Sequence, residues 1–330
     1  MFMQRRQVMR GAAGLLAAGG LLRATRAQGP LPGWPVRPVR LVVPVAAGGQ
    51  TDQFARYIGE QLGRAFGQPF VVDNKPGAGG SIGSLQVVRA PADGHTLLFS
   101  AASFTVVPPA LNPQQPYDLL RDLVPIVQIG AGGQFLAVSN DAPIRTIREL
   151  FDLARANPDK LSYGTTGVGS VTHIFMAALL RQQGARMAHV PYKSGGEVLR
   201  DMLGGVLQVG WVDTTNGGQA AKAGRIRLLG VTGTFRVPEN PDVPTLGEQG
   251  FGSELNGFLG LFGTAGTPEP VVRALNAEVL RIMSGDEARQ RLATMNVATF
   301  PANTPAQFAQ TLAADLQAWR RIVVENEIRP

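Results

Sequence analysis

Three segments are rich in glycine and in hydroxyl or amide side chains, and each joins a predicted strand to the start of a predicted helix. They are residues 44–52 (PVAAGGQTD), 74–81 (NKPGAGGS) and 163–172 (YGTTGVGSVT). Glycines let the backbone turn sharply in such loops, so the unpaired N–H groups and the positive end of the helix dipole point outward. A loop of this kind favours an anion, and a carboxylate fits it.

Backbone donors dominate the predicted site. We expect the N–H groups of residues 48–51 and 167–170 to hold a carboxylate between them. The side chains expected to help are those of Thr51, Thr166, Ser170 and Thr172. His173 falls in the first turn of the helix after the third loop, and Asp213 follows a predicted strand, so both are candidates to line the same crevice. For Asp213, capping of its own loop is the more ordinary role.

The same residues fit enzyme sites poorly. A dinucleotide fingerprint needs glycine at positions 82 and 172, where this chain has Ile82 and Thr172. Residues 79–83 (GGSIG) match the nucleophile elbow of α/β hydrolases, but the strand before Ser81 is predicted to end at Val72, too early for an elbow. A serine hydrolase that uses Ser81 stays open as an alternative.

The three histidines have no metal-ligand spacing, so we expect no metal site and no cofactor. They are His95, His173 and His189. A structural role is the ordinary expectation for each. Trp211, at the end of a strand, is expected in the core.

The elements that must position these loops alternate between short β-branched runs and segments of helical periodicity. This pattern predicts an α/β fold with mostly parallel sheets flanked by helices. Loops 44–52 and 163–172 open two stretches of similar construction, which predicts two lobes with the ligand cleft between them. We expect residues 28–130 plus 256–330 to form a discontinuous first lobe and residues 131–255 a second. Two chain crossings would then act as a hinge.

The predicted strands are short, and the predicted helices are longer. The strands expected are 39–43, 69–73, 96–100, 126–129, 135–139, 161–163, 188–191, 207–212, 225–231 and 297–300. The helices expected are 51–66, 81–89, 146–156, 170–183, 196–203, 268–284 and 305–324. Residues 108–117, rich in proline, are expected to be irregular.

The first 27 residues have the layout of a cleavable export signal, with Arg5, Arg6 and Arg10 before an apolar stretch at 11–22 and small residues ending at Ala27. The apolar stretch is shorter than the roughly 20 residues that span a bilayer. Arg5 and Arg6 resemble a twin-arginine signal, and the general secretory route stays open as well. The sequence therefore predicts a periplasmic protein.

Composition excludes several classes of partner and chemistry. The net charge is +7, but five of the 31 basic residues fall in positions 1–27, which leaves 26 basic against 24 acidic residues. This balance predicts no nucleic-acid partner. The chain has no cysteine, so it has no disulfide framework and no lipid-anchoring thiol.

Many ordered segments resemble the Bug-type extracytoplasmic solute receptors of tripartite tricarboxylate transporters. The resemblance extends over nearly the whole chain after position 34. Matching segments include 38–44 (PVRLVVP), 74–80 (NKPGAGG), 91–98 (PADGHTLL), 189–193 (HVPYK), 241–245 (PDVPT) and 265–268 (AGTP). The first loop departs from the family pattern, because Val45, Ala46 and Ala47 stand where an aromatic residue and prolines are usual. Gln208 also replaces a common aspartate.

The resemblance implies a hinge-closing, two-domain receptor that grips a ligand carboxylate and delivers it to the membrane subunits of a transporter. It implies no catalytic step, and we expect a monomer. A receptor that senses the same ligand for a membrane signalling system is the alternative. Carried over by position and joined to the residues above, the candidate ligand-binding set is Pro44, Ala46, Gly48, Gly49, Gln50, Thr51, Asp52, Ser81, Ser103, Thr165, Thr166, Gly167, Gly169, Ser170, Thr172, His173 and Asp213.

Overall fold

The computed structural model describes residues 33–251, 255, 257–295, 297–299 and 301–328. The predicted export signal, residues 1–27, lies outside this range. The strands are β1 (Val39–Val43), β2 (Phe70–Asn74), β3 (Thr96–Ala101), β4 (Leu123–Gly132), β5 (Gln134–Ser139), β6 (Ser162–Thr165), β7 (Ala188–Pro191), β8 (Val209–Asp213), β9 (Ile226–Val231), β10 (Gly257–Thr264) and β11 (Ala298–Thr299).

Helices lie between these strands, and a 3-10 turn at Ala78–Gly80 precedes the second of them. They are α1 (Gln50–Phe66), α2 (Ser81–Val88), α3 (Ala102–Thr105), α4 (Val107–Leu111), α5 (Leu119–Asp122), α6 (Ile147–Ala156), α7 (Val171–Gln182), α8 (Gly195–Leu203), α9 (Thr214–Lys222), α10 (Glu269–Met283), α11 (Asp286–Thr294) and α12 (Pro305–Glu325). In the described part of the chain, no helix is both long and apolar enough to cross a membrane.

The strands form two separate sheets, which confirms the predicted two-lobed α/β fold. The first sheet has six strands in the order β11-β4-β10-β3-β1-β2, and the second has five in the order β7-β6-β8-β5-β9. The first lobe is the part of the chain built around the six-stranded sheet, and the second lobe is the part built around the five-stranded sheet.

The prediction that the sheets are mostly parallel was wrong, because both sheets are mixed. β1 pairs in parallel with β2 and β3, and β6 with β7 and β8, whereas the remaining five pairings are antiparallel. In the first sheet, the antiparallel pairing of β4 and β10 follows from the way the chain passes between the lobes. β4 ends at Gly132, β10 begins at Gly257, and these two residues are paired in register. Because the chain re-enters the sheet where it left, β10 must run antiparallel to β4.

The proline-rich segment 108–117 was also predicted wrongly as irregular throughout. Helix α4 begins at Val107 and carries Pro108 and Pro109 in its first turn. Proline is tolerated there because the first N–H groups of a helix have no intrahelical acceptor.

Helix α1, which carries the first candidate loop at its start, forms as its apolar periodicity predicts. Phe54, Ile58 and Leu62 recur on one face and are fully buried. Gly67 ends the helix in the left-handed conformation, with φ 73°, and its N–H donates to the carbonyl of Gly63. The loop before α1 is therefore held on a helix fixed by its buried face.

Three hydrophobic clusters form the core. One covers a face of the first sheet around Leu41 and Phe99, and another covers a face of the second sheet around Phe135 and Val212. The third contains side chains from both sheets and from α12, so it is continuous between the lobes. Its representative members are Val42, Leu98, Leu136, Phe175, Trp211 and Trp319. Trp211 is fully buried, as predicted.

Candidate ligand-binding site

The two anion-type loops belong to different lobes. The first-lobe loop, residues 44–52, follows β1 of the first sheet, and the second-lobe loop, residues 166–172, follows β6 of the second. Ligands of open α/β sheets bind outside the carboxyl ends of the strands, where these loops lie. The lobes approach each other at the second-lobe loop, since a Cβ added to Gly169 would lie 3.2 Å from Cδ1 of Leu111 in α4.

Asp52 shapes the first-lobe loop rather than facing a ligand. Its side chain is 2 % exposed. Oδ2 accepts from the Gly48 N–H at 2.8 Å, and Oδ1 accepts from Asn74 Nδ2 at 2.9 Å. Arg56 Nε donates to Oδ2 at 3.1 Å, and Arg56 Nη2 forms an ion pair with Oδ1 at 3.0 Å. Burial pushes the pKa of Asp52 upward, but the hydrogen bonds from Arg56, Gly48 and Asn74 outweigh it, so the pKa lies below its usual value.

The bond to Asp52 changes which backbone donors are free. The Gly48 N–H, expected to contact the ligand, is occupied. The N–H groups of the next four residues, Gly49 to Asp52, have no acceptor among the described residues. Residues 46–50 are exposed, whereas Thr51 and Asp52 are buried, so the N–H groups of Gly49 and Gln50 lie at the surface of the crevice. The N–H donors and the positive end of the α1 dipole favour an anion at this position.

The second-lobe loop satisfies most of its own donors. Gly167 N–H donates to Thr165 Oγ1 at 3.3 Å, Ser170 N–H to the Gly167 carbonyl at 3.2 Å, and Gly169 N–H to His173 Nδ1 at 3.1 Å. These bonds correct the expectation that the N–H groups of residues 167–170 are all available. Gly167 and Gly169 adopt φ of 118° and 73°, which permits the tight turn.

The second-lobe loop has hydroxyl groups and a few N–H groups that can contact a ligand. Thr166 is exposed, and its Oγ1 lies 3.5 Å from Oγ1 of Thr172. Ser170 and Thr172 hydroxyls are 3.0 Å apart, and Ser170 Oγ also caps α7 by accepting from His173 N–H. Within the described residues, the N–H groups of Val168, Val171 and Thr172 have no acceptor. The loop is thus a preorganised, hydroxyl-rich surface.

Two histidines lie in ring contact behind the second-lobe loop. The rings of His173 and His189 are stacked, with centroids 4.2 Å apart and an interplanar angle of 16°. His189 Nε2 lies 2.7 Å from Thr165 Oγ1. Burial lowers the pKa of His173, and burial together with the charge of His173 lowers the pKa of His189 to about 4. No role at the site was predicted for His189 from the sequence. Its one local signal was its position in the family-like segment HVPYK.

Three predicted site residues have other structural roles. Pro44 is buried and packs against α2, since a Cβ on Gly83 would lie 2.9 Å from its Cβ. Asp213 caps α9, because its carboxylate accepts from the N–H and the side-chain amide of Asn216 at 2.8 Å and 3.0 Å. Ser81 is 7 % exposed and begins α2.

The position of Ser81 gives no support to a hydrolase. Its hydroxyl is buried without a hydrogen-bond partner in the described part of the chain, so no histidine is placed to act as its base. It lies beside the hydroxyl of Tyr117, whose pKa is raised by burial. Ser103, in α3 after β3, is half-buried and makes no hydrogen bond to the described residues. Ala46 lies exposed in the first-lobe loop.

One carbonyl joins the lobes at the edge of the crevice. The Met295 carbonyl, at the end of α11, accepts from Gln50 Nε2 at 2.8 Å and from Thr215 Oγ1 at 3.0 Å. Gln50 begins α1 in the first lobe, and Thr215 lies in α9 of the second. Thr215 and Met295 were not predicted as site residues, because nothing local to either residue indicates a contact over 80 positions. Among the described residues, no acidic or histidine cluster suits a metal ion.

A solute-binding protein is the class that this fold and crevice define: two α/β lobes, joined by crossing strands, with donor-rich loops at the carboxyl ends of their strands. The chain belongs to the tripartite tricarboxylate transporter family of receptors, whose model matches residues 54–328.

One relative and two solved structures illustrate matches over nearly the full length of the compared protein. A UPF0065 protein in the tcbD-tcbE intergenic region of Pseudomonas sp. (strain P51) is 35% identical over 326 residues, which cover 98% of this chain and 95% of the relative. The structure of R. palustris Rpa4515 with adipate superposes with a TM-score of 0.80 at 29% identity, covering 90% of this chain and 99% of that one. The periplasmic binding protein BugD superposes with a TM-score of 0.77 at 30% identity, with the same coverage.

Proposed function

We propose that this receptor is exported to the periplasm, captures a small carboxylate between its lobes as a monomer, and delivers it to the membrane subunits of a tripartite tricarboxylate-type transporter. The observation that carries the proposal is the start of α1. Four consecutive N–H groups, from Gly49 to Asp52, have no acceptor among the described residues. Export through the signal in residues 1–27, by the twin-arginine or the general secretory route, is part of the same proposal.

The charges around the first-lobe loop support an anionic ligand. The carboxylate of Asp52 is enclosed by Arg56, Asn74 and the Gly48 N–H, so it does not repel an incoming carboxylate as a free charge would. The N–H groups and the dipole of α1 supply the attraction. The similarity to Rpa4515, which was solved with adipate, agrees with this chemistry.

Lobe closure completes the site. We assign residues 28–130 and 256–330 to one lobe and 131–255 to the other, with the hinge at the paired crossing strands β4 and β10. The hydroxyls of Thr166, Ser170 and Thr172 then meet the ligand from the second lobe, with a direct contact from Ser103 or Ala46 on the first. Excluding water matters because four charge-assisted hydrogen bonds, about 6–12 kcal/mol gross, compete with an association cost of about 4–15 kcal/mol. The proposed cycle contains no catalytic step and needs no cofactor.

A thermal-shift screen tests the ligand class. Adipate, citrate, benzoate and glutamate represent dicarboxylates, tricarboxylates, aromatic acids and acidic amino acids. A ligand at about 100 times its Kd adds roughly 2.7 kcal/mol of stability, so a selective rise in Tm with one carboxylate class is expected. A shift with a neutral or cationic solute and none with any carboxylate would overturn the anion site.

A matched pair of variants at Gln50 tests the backbone donors. Gln50→Pro deletes the N–H at the first position of α1, where proline is favoured, and Gly49 already has φ −74° and ψ 167°, which suit the residue before a proline. Gln50→Ala removes the side-chain bond to Met295 but keeps the N–H. We expect the proline variant to bind the carboxylate at least about tenfold more weakly than the alanine variant. Equal affinities would contradict the assignment of this N–H to the ligand.

A further inference from the structure

Three aromatic rings form a continuous stack directly behind the second-lobe loop. Tyr163 of β6 lies on His189 of β7, with centroids 5.1 Å apart and planes at 26°. His189 lies in turn on His173 of α7, at 4.2 Å and 16°. His189 is therefore the middle ring, held on one face by the strand that leads into the loop and on the other by the helix that follows the loop.

We assign the ring proton of each histidine from its hydrogen-bond partners. With Thr165 Oγ1 taken as the donor to the Gly167 carbonyl at 3.2 Å, it is the acceptor toward His189 Nε2 at 2.7 Å, and this assignment places the His189 proton on Nε2. Gly169 N–H donates to His173 Nδ1 at 3.1 Å, so the neutral His173 ring carries its proton on Nε2 as well. Both assignments describe uncharged rings.

This stack touches both ends of the loop. His189 Nε2–H reaches Thr165, the last residue before the loop, and the His173 ring holds the Gly169 N–H near its end. The segment between them contains Thr166 and Val168, which are exposed and carry donors for a ligand. The position of these donors thus depends on two ring contacts and two hydrogen bonds.

We propose that His189 is a positioning residue of the ligand site: its uncharged ring, stacked between Tyr163 and His173, holds the second-lobe loop in its binding shape, and proton uptake by the stack releases that loop. The proposal rests on the proposed function, because it assigns regulation by pH to the same site. It adds a residue outside the expected ligand-binding set.

Protonation breaks the arrangement at identifiable atoms. A proton on His173 Nδ1 turns an acceptor into a donor that faces the Gly169 N–H. The resulting cation lies at the N-terminus of α7, where the helix dipole disfavours positive charge, and against a ring 4.2 Å away. Burial lowers the pKa of both histidines, that of His189 to about 4, in agreement with an enclosed, uncharged stack.

Neighbouring ionisable groups do not replace this proton. On β6, burial raises the pKa of Tyr163 to about 12, so its hydroxyl stays neutral. The other ionisable groups on the neighbouring elements are paired elsewhere or exposed to solvent. They are Lys193 after β7, which is exposed; Glu197 of α8, which accepts from the backbone N–H of Lys193; Arg181 along α7, paired with Glu327; and Asp213 after β8, which caps α9.

Nuclear magnetic resonance on the ligand-free protein tests the stack independently of any ligand. Nitrogen-15 shifts of the imidazole rings should report the Nε2–H form for both His173 and His189 at pH 7.5. The Gly169 amide resonance should move with the titration of His173 as pH is lowered. An Nδ1–H form of either ring, or a Gly169 amide that does not follow the titration, would overturn the proposal.

Binding measurements with adipate test the positioning role. His189→Phe keeps a ring in the stack but removes the N–H that reaches Thr165. The matched control is His95→Phe, since His95 is a 6 % exposed histidine packed on Trp34 in the first lobe, away from the loop. At pH 7.5 we expect His189→Phe to bind adipate about tenfold more weakly, and the control to bind as the parent does.

The pH profile separates positioning from simple structural damage. Adipate titrates identically with every variant, so differences between variants belong to the protein. The affinity gap between the parent and His189→Phe should close as pH falls below about 4, the pKa of His189, because the parent's own stack is then charged. A gap that is absent or constant with pH would refute the proposal. If the parent does not bind adipate, the choice of ligand fails, and the resonance measurement still decides the role of the stack.

Discussion

Replacing Asp52 with asparagine should loosen the first-lobe loop far more than its position in the first turn of α1 suggests. The carboxylate oxygens accept from Gly48 N–H, Asn74 and Arg56, and the side chain is 2 % exposed. An asparagine that keeps its oxygen toward Asn74 turns its NH2 group against the Gly48 N–H and the Arg56 guanidinium. The Gly48 N–H and the Arg56 guanidinium, both donors, then face the donor NH2 group of the asparagine inside a buried site.

The magnitude follows from those contacts. Each hydrogen bond to the buried charge is worth about 1.5–3 kcal/mol, while the Arg56 ion pair, whose guanidinium is 53 % exposed, is worth about 0–1 kcal/mol. Losing the Gly48 bond and weakening the other two gives a decrease of about 3 kcal/mol in the free energy of unfolding. Urea denaturation measures it, and the Gly48 amide should lose protection against hydrogen exchange.

Asp73→Asn is the matched control. Asp73 lies on β2 beside the same loop and pairs with Lys75 at 3.1 Å and Arg40 at 3.5 Å, but all three side chains are partly exposed. Its loss should cost about 1 kcal/mol or less. Equal destabilisation by the two substitutions, or an unchanged Gly48 exchange rate in Asp52→Asn, would refute the assignment of Asp52 as the organiser of the loop.

Two further predictions concern stability. Burial raises the pKa of Asp315 in α12 to about 6 from 3.8, so the folded state binds more protons than the unfolded state and stability should fall as pH rises from about 4 to 6. Asp315→Asn should therefore stabilise the protein by about 3 kcal/mol at pH 7 and by almost nothing at pH 4, and a pH-independent effect in urea denaturation would contradict this. Gly257→Ala places a Cβ 2.5 Å from the Gly132 carbonyl, whereas a Cβ on Gly132 meets nothing within 4 Å. We expect Gly257→Ala to lower Tm with a cost of about 1–3 kcal/mol and Gly132→Ala to be close to neutral, and the reverse order would show that the crossing strands are packed differently.

The sequence predicted the elements whose signals are local. Helix α1 followed from the spacing of Phe54, Ile58 and Leu62, and the two anion-type loops followed from glycines at the junction of strand and helix. The sequence did not predict β10, although this strand lies in the middle of the first sheet. Its glycines resemble a loop, and they are needed because α12 packs closely: a Cβ on Gly260 would lie 2.7 Å from the Phe308 ring. That contact joins residues 48 positions apart, so no local pattern reveals it.

The sequence predicted which loops form the candidate site, but it did not predict which atoms in those loops are free to bind a ligand. The loops were identified, but the sequence did not show that Asp52 occupies the Gly48 N–H or that His173 occupies the Gly169 N–H. Both contacts join residues four positions apart, and both depend on a side chain folding back onto its own loop. The contacts of His189 with Thr165 and of Thr215 with Met295 are non-local, and they arise only when neighbouring strands and opposite lobes meet.

The hydrophobic cluster that contains side chains of both sheets has a consequence for how the protein melts. Phe175 of α7 lies with its ring 5.1 Å from Trp319 of α12 and 6.5 Å from Trp211 of β8, so an aromatic row connects elements on either side of the crevice. Unfolding one lobe alone would expose part of this shared core to water. The cleft that separates the lobes at the ligand site therefore does not divide the protein into independently unfolding units. Heat should disrupt both lobes in one transition. A solute bound by only a few atoms of each lobe then stabilises the whole chain.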